Sequence, residues 1–156
     1  MDEPRKIWWA RPRKLCALER PGGGGRSHRR ERREVEIAWL CAHGVRLVIS
    51  VMPTRHNLPD YERAGLEHRH VPVGSADDAP AAAVEELLAL LRKELRSRGA
   101  VAIHGDHATD FVAAVCAAHL HETRGVDPSA ALEKAAAAGL EISHEARELA
   151  GAAAEA

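Results

Sequence analysis

The sequence has few cysteines, no long apolar run and almost no net charge, and each absence excludes a class of function. Its cysteines are scattered without a CxxC pair or a metal-ligand spacing, so we predict free thiols and no disulfide framework. No stretch approaches the roughly 20 apolar residues of a membrane helix, and the first residues lack the apolar run of a signal peptide. The net charge of -1 gives no general attraction to nucleic acid or to membranes. We expect a cytoplasmic protein that has no resident cofactor. We also expect it to bind neither nucleic acid nor membranes. The cysteines are Cys16, Cys41 and Cys116.

Positive charge is concentrated near the start of the chain. Residues 1–34 carry eleven Lys and Arg against five Asp and Glu, whereas the remainder carries eleven against eighteen. The excess favours a segment that faces an anion or an acidic partner, or that supplies an arginine to a pocket elsewhere. The alternative is a solvated helix start, where the arginines pair with neighbouring glutamates. The candidate binding residues are Arg26, Arg29, Arg30 and Arg33. The many arginines and alanines are also typical of a GC-rich bacterial genome.

The hydrophobic pattern predicts one α/β domain in which helices flank a central, mostly parallel sheet. Short apolar or alternating runs predict strands, and longer amphipathic runs predict helices. The predicted strands are 45–51, 66–73 and 100–104. The predicted helices are 30–43, 80–98, 111–122, 128–138 and 143–150, and residues 57–64 are predicted to be a brief helix or turn. Residues 30–156, together with 8–20, form the domain in this interpretation. Residues 1–29 form a basic segment that packs on it, and the PGGGG run at 21–25 is predicted to be a turn or hinge of flexible chain.

The most informative segment is the predicted strand, loop and helix at 100–122. A short loop that enters a helix start points backbone N–H groups at one place and favours anions. The segment reads VAIHGDHATDFVAA. It resembles the strand-HCxxGxxR[ST]G-helix loop of the tyrosine and dual-specificity phosphatases, with His104 at the motif histidine. In that family the cysteine is the nucleophile, and the arginine binds phosphate.

Three further segments resemble the same family in order and spacing, so that the resemblance covers roughly residues 8–150. They are WWARPRKLCALERPGGG, ERREVEIAWLCAHGVRLVISVMP and YERAGLEHRHVPVGSADDAP. The resemblance implies the single-domain phosphatase fold. The general acid of the family is an aspartate. In strict register its position here is Ser75, and Asp77 and Asp78, which follow closely, are displaced candidates for that acid.

The loop departs from the family at the positions that carry the chemistry. Gly105 stands at the nucleophile, Ala108 at the loop glycine, Phe111 at the phosphate-binding arginine and Val112 at the following Ser/Thr. The resemblance therefore implies a phosphatase fold without the family's reaction. It indicates a binding or regulatory module for an unknown protein or anionic ligand. The loop consists of His104, Gly105, Asp106, His107, Ala108, Thr109, Asp110 and Phe111.

Two alternatives remain for the polar residues of this loop. Asp110 is predicted to be the N-cap of the helix at 111–122, so that Asp106 and Asp110 fill an anion site with the protein's own carboxylates. Alternatively, His104, Asp106 and His107 hold a metal ion in a hydrolase that uses no cysteine. The spacing of these three residues matches no known metal signature, so the first interpretation is preferred.

Overall fold

The structure is a computed structural model that describes residues 3–73, 80–106 and 109–155. Within these ranges the chain forms five strands and six α-helices. The strands are β1 (Ile7–Arg11), β2 (Leu15–Leu18), β3 (Val45–Ser50), β4 (Glu67–His70) and β5 (Ala100–His104). The helices are α1 (Arg30–Ala42), α2 (Leu58–Arg63), α3 (Pro80–Glu94), α4 (Asp110–Arg124), α5 (Pro128–Ala137) and α6 (His144–Glu155).

The strands form one sheet in the order β1-β2-β5-β3-β4. β1 runs antiparallel to β2, and the other neighbouring strands are parallel. β5 therefore lies in the middle of the sheet, between β2 and β3. Loops at the carboxyl ends of parallel strands lie along one edge of a sheet, which is the usual position of a binding site in such folds. The loop after β5 occupies the centre of that edge.

Alternation along each central strand divides the core into two layers. In β3, Leu47 and Ile49 face one layer, whereas Val48 faces the other. The first layer lies under α3, α4, α5 and α6, and the second lies under α1 and α2. Because β5 is buried on both faces, all five of its residues are buried. No helix in the described part of the chain has the length and apolar content that a membrane span requires.

The three predicted strands and their parallel arrangement are confirmed, and the mixed α/β fold with them. Two strands were not predicted. The apolar piece at Leu15–Leu18 is a fully buried strand of only four residues, and the tryptophan-containing Ile7–Arg11 pairs with it as β1. The predicted helix at 80–98 ends at Glu94. The Lys14 ammonium donates to the backbone carbonyls of Ser97 and Gly99 beyond that end, at 2.9 and 3.1 Å.

The glycine-rich segment is a turn, as predicted, but it is packed in the domain and is not a flexible hinge. Residues 21–24 are buried. Gly22 has a φ of 96°, and its amide donates to the buried carboxylate of Glu36 at 2.7 Å. A Cβ at Gly22 would lie 2.5 Å from the His28 ring, so glycine is required there both for backbone conformation and for space.

Candidate functional site

The loop after β5 lies between two other chain segments. The segment after β2 (residues 19–25) flanks it on one side, and the segment after β3 (residues 51–57) flanks it on the other. Gly105 is buried, Asp106 is partly exposed, and Thr109 is buried at the start of α4. His107 and Ala108 lie outside the described residues, as do the acid candidates Asp77 and Asp78.

His104 is fully buried at the end of β5, and hydrogen bonds hold both of its ring nitrogens. Nδ1 lies 2.7 Å from the Gly105 carbonyl, and Nε2 lies 2.7 Å from the Tyr61 hydroxyl. A carbonyl can only accept, so Nδ1 carries the proton and Nε2 accepts from Tyr61. Burial lowers the pKa of His104 to about 4 and raises the pKa of Tyr61, so His104 is neutral and Tyr61 is protonated at neutral pH. A metal at His104 would have to displace one of these bonds.

Asn57 connects Tyr61 to the segment after β2. It is 2% exposed and has a φ of 73°, a left-handed conformation that asparagine tolerates better than most residues. Its Oδ1 accepts from Arg20 Nε at 2.8 Å, while Nδ2 donates to the Pro21 carbonyl at 3.0 Å and to the Tyr61 hydroxyl at 3.2 Å. A buried polar chain therefore runs from Arg20 through Asn57 and Tyr61 to His104.

Asp106 lies at the Arg20 end of this series of buried polar side chains. Its Oδ1 accepts from the Gly25 amide at 3.0 Å and lies 4.0 Å from Arg20 Nη1, while its backbone carbonyl accepts from the Arg20 amide at 3.0 Å. Burial lowers the pKa of Arg20, and Asp106 opposes that shift, but a guanidinium stays charged in either case. The Asp106 carboxylate thus contacts both the Arg20 guanidinium and the Gly25 backbone amide. These are the kinds of group that would bind an external anion.

Asp110 is the first residue of α4, and the prediction that it is the N-cap is off by one position. Thr109 precedes the helix, and its side chain caps no amide of α4. Asp110 Oδ1 accepts from the Phe111 amide at 2.9 Å, so the carboxylate still satisfies one amide of the first turn. Its Oδ2 accepts from the Ser143 hydroxyl at 2.8 Å, and that hydroxyl accepts from the Ala146 amide in the first turn of α6. Asp110 therefore joins the starts of two helices.

The four arginines singled out in the sequence do not contact the described part of this loop. Arg33 lies 3.2 Å from the Asp60 carboxylate, and Arg30 pairs with Glu34 at 3.5 Å. Arg29 donates to carbonyls of its own segment, and Arg26 is exposed. The arginine that does reach the loop is Arg20, which sequence reasoning missed.

Two side chains of the site could not be assigned from the sequence. Arg20 and Asn57 are single polar residues outside any motif, and the position of Asn57 just before the Leu-Pro start of α2 was the one available signal. Phe111, at the position where the resemblance places an arginine, is half-buried and packs on the first core layer. Among the described residues, no group of three or more His, Cys, Asp and Glu side chains is arranged to hold a metal ion.

The thiols are not placed for nucleophilic chemistry at this loop. Cys16 and Cys116 are fully buried in β2 and α4, and burial raises the pKa of both. Cys41 is exposed on α1, and its pKa is also raised by burial of part of its surface. A thiol with a raised pKa carries less thiolate, the reactive form, at neutral pH.

Comparison with known proteins gives a structural answer and no sequence-based one. Neither a protein-family model nor a curated protein matches the sequence. The structure is similar to Tk-PTP in its active form, with 18% identity, a TM-score of 0.70 and coverage of 96% of this chain and 97% of that one. It is also similar to human DUSP28, with 21% identity, a TM-score of 0.69 and coverage of 97% and 94%.

A third similar structure is TpbA of P. aeruginosa in complex with pTyr, with 20% identity and a TM-score of 0.65. The match covers 89% of this chain and 76% of TpbA. At these identities the comparison concerns the arrangement of the elements and not the chemistry of the loop. The chain has the fold of the tyrosine and dual-specificity phosphatases.

Proposed function

We propose that this protein is a catalytically inactive phosphatase-like protein that acts as a binding or regulatory module. The observation that carries the proposal is the position of Asp106. Its carboxylate lies against Arg20 and the Gly25 amide, so the cation and the amide beside the loop already hold an anion that belongs to the protein.

The absence of a nucleophile supports the proposal. Gly105 stands at the position where the resemblance expects the cysteine, and it has no side chain to attack phosphorus. The buried thiols of Cys16 and Cys116 have raised pKa values, so neither offers a thiolate in its place.

The charge of the loop supports it as well. Phosphoryl transfer requires fixed positive charge where negative charge develops in the transition state. Phe111 brings an apolar ring instead of a guanidinium, and it packs on the core. Asp106 and Asp110 add two carboxylates that repel phosphate. Arg20 is held by Asn57 and Asp106.

The enzymatic half of this proposal is tested with an aryl phosphate such as p-nitrophenyl phosphate. We expect turnover at the level of a buffer blank for the native protein and for Gly105→Cys, because the cysteine alone restores no phosphate-binding arginine. Turnover that persists after repurification and after treatment with EDTA would overturn the assignment as an inactive protein. Turnover that EDTA abolishes would also overturn it, in favour of a metal-dependent hydrolase.

A further inference from the structure

A second feature lies at the opposite edge of the sheet, where the parallel strands begin. Here the turn between β1 and β2 (residues 11–14) meets the connection between α3 and β5 (residues 95–99). Lys14 joins them through its bonds to the Ser97 and Gly99 carbonyls. Arg11 Nη1 lies 3.4 Å from His119 Nε2, which brings the end of α4 to the same edge.

Six positively charged side chains share this edge. We call them the basic edge: Arg11, Arg13, Lys14, Arg96, Arg98 and Arg124. Arg13, Arg96, Arg98 and Arg124 are exposed, and the other two are half-buried. Within the described ranges none of the six lies in an ion pair, although nine other Lys and Arg residues do. A chain with a net charge of -1 therefore concentrates uncompensated positive charge on one surface.

The nearby carboxylates are engaged elsewhere. Glu122 accepts from Arg92 at 2.7 Å, and Glu94 is buried between Arg46 and Arg69 at 3.9 Å from each. Asp127 accepts from the Ala130 amide as the N-cap of α5. These acids leave the six cations without a carboxylate partner in the described part of the molecule.

Two buried donors beneath the edge also lack acceptors. Arg11 Nε and His119 Nδ1 are buried, and neither has a hydrogen-bond partner among the described residues. His119 is 1% exposed, and burial lowers its pKa to about 4, so it is neutral at neutral pH. Because Nε2 accepts from Arg11, Nδ1 carries the proton and has nowhere to donate it. Burial and the neighbouring Arg124 lower the pKa of Arg11, as expected where like charges face each other without a carboxylate between them.

We propose that the basic edge is a docking surface for an acidic segment of another protein. Five of its six cations are arginines, whose planar guanidinium groups bind carboxylates through two parallel hydrogen bonds. Apart from Val35 on α1, no large apolar side chain is exposed among the described residues, so the edge offers no anchor for insertion into a membrane. The sequence pI of about 6.8 is also far below that of a typical nucleic-acid-binding domain. This surface is independent of the loop after β5.

The test compares two variants that change charge equally at opposite edges. The first is Arg13→Glu/Arg96→Glu/Arg98→Glu on the basic edge. The matched control is Arg26→Glu/Arg29→Glu/Arg55→Glu, whose three exposed arginines lie in the segments beside the loop. The probe is a fluorescent polyglutamate peptide of about 20 residues, measured by anisotropy at about 0.1 M salt, where the Debye length is about 10 Å. Melting temperatures verify that both variants fold.

We expect the native protein and the control to bind the peptide with similar affinity, and the edge variant to bind at least about ten-fold more weakly. Raising the salt to about 1 M should weaken binding in all three, since charges on this surface are then screened. Equal loss in both variants, or no binding by the native protein, would overturn the proposal. The same variants are also tested with a 20-base-pair DNA duplex and with phosphatidylserine vesicles. If either binds more tightly than the peptide through the same three arginines, the acidic-segment proposal is overturned in favour of that partner.

Discussion

Asp106→Asn tests whether the loop's own carboxylate occupies an anion site. The substitution keeps the size of the side chain and removes its charge. A pair of unit charges 4.0 Å apart, the distance from Asp106 Oδ1 to Arg20 Nη1, is worth between about 1 kcal/mol in water and about 4 kcal/mol near a protein surface. Because the Asp106 side chain is 41% exposed, the lower end of this range applies. We expect the substitution to lower the free energy of unfolding by about 1 kcal/mol, which corresponds to a fall of roughly 2–4 °C in melting temperature.

The diagnostic quantity is the response of that melting temperature to sulfate or phosphate. In the variant, the negative charge that repels an external anion from Arg20 and the Gly25 amide is gone. A ligand at ten times its dissociation constant stabilises the folded state by about 1.4 kcal/mol, so added anion at that concentration should restore the lost stability. The native protein should gain clearly less, since its own carboxylate competes for the same groups.

Glu34→Gln is the matched control, because it also removes a carboxylate from an arginine, Arg30, at 3.5 Å. That pair is exposed on α1 and includes no backbone amide, so we expect little change in stability and no added response to sulfate. If Asp106→Asn and the native protein gain equally from the anion, the carboxylate does not occupy an anion site and the reasoning is refuted.

Two other predictions concern groups beside the loop. Asp110→Ala should lower the free energy of unfolding in urea by about 2 kcal/mol, because it leaves the Phe111 amide and the Ser143 hydroxyl without an acceptor. Asp110→Asn should lose less stability, and equal losses in the two variants would contradict this role. His104 has a pKa of about 4 when folded against an ordinary value of 6.5, so the unfolded chain binds the extra proton as the pH falls. The stability it contributes is complete above pH 6.5 and should decline by about 3 kcal/mol as the pH falls towards 4. His119, whose pKa burial also lowers to about 4, contributes in the same pH range, so His104→Gln should reduce that slope in urea titrations without abolishing it. The exposed His56→Gln is the control, and an unchanged slope in His104→Gln would show that His104 is not buried as a neutral ring.

The sequence was most informative where the hydrophobic pattern was continuous. β3 and β5 are runs of apolar residues buried on both faces, and such runs are recognisable without any tertiary information. β2 has only four residues, which is too short for a periodic signal, and it is a strand because β5 and β1 pair with it on either side. One of these partners, β5, is distant in sequence, so local reasoning could not find that pairing.

The place of the candidate site in the chain follows from the sequence, whereas most of its contacts do not. The frame from β5 through the loop to α4 follows from the apolar run and the helix pattern, and His104 from the motif. The role of Arg20 depends on the glycine turn that packs against the loop. The role of Asn57 depends on its own left-handed backbone conformation. Both depend on side chains from three separate segments that meet only in the folded protein. The basic N-terminal segment suggested a different arginine because composition does not show which of several guanidinium groups faces inward.

The outer strands of the sheet determine how a partner could attach. β4 is only four residues long, and two of its residues, Glu67 and Arg69, are exposed and charged. β1 has an irregularity between Trp9 and Arg11, where its register with β2 shifts. Short length, charge and bulges are the features that keep a sheet from being extended by a strand of another chain. A partner protein should therefore attach through side-chain surfaces, and strand addition to either border, with its risk of edge-to-edge aggregation, is disfavoured.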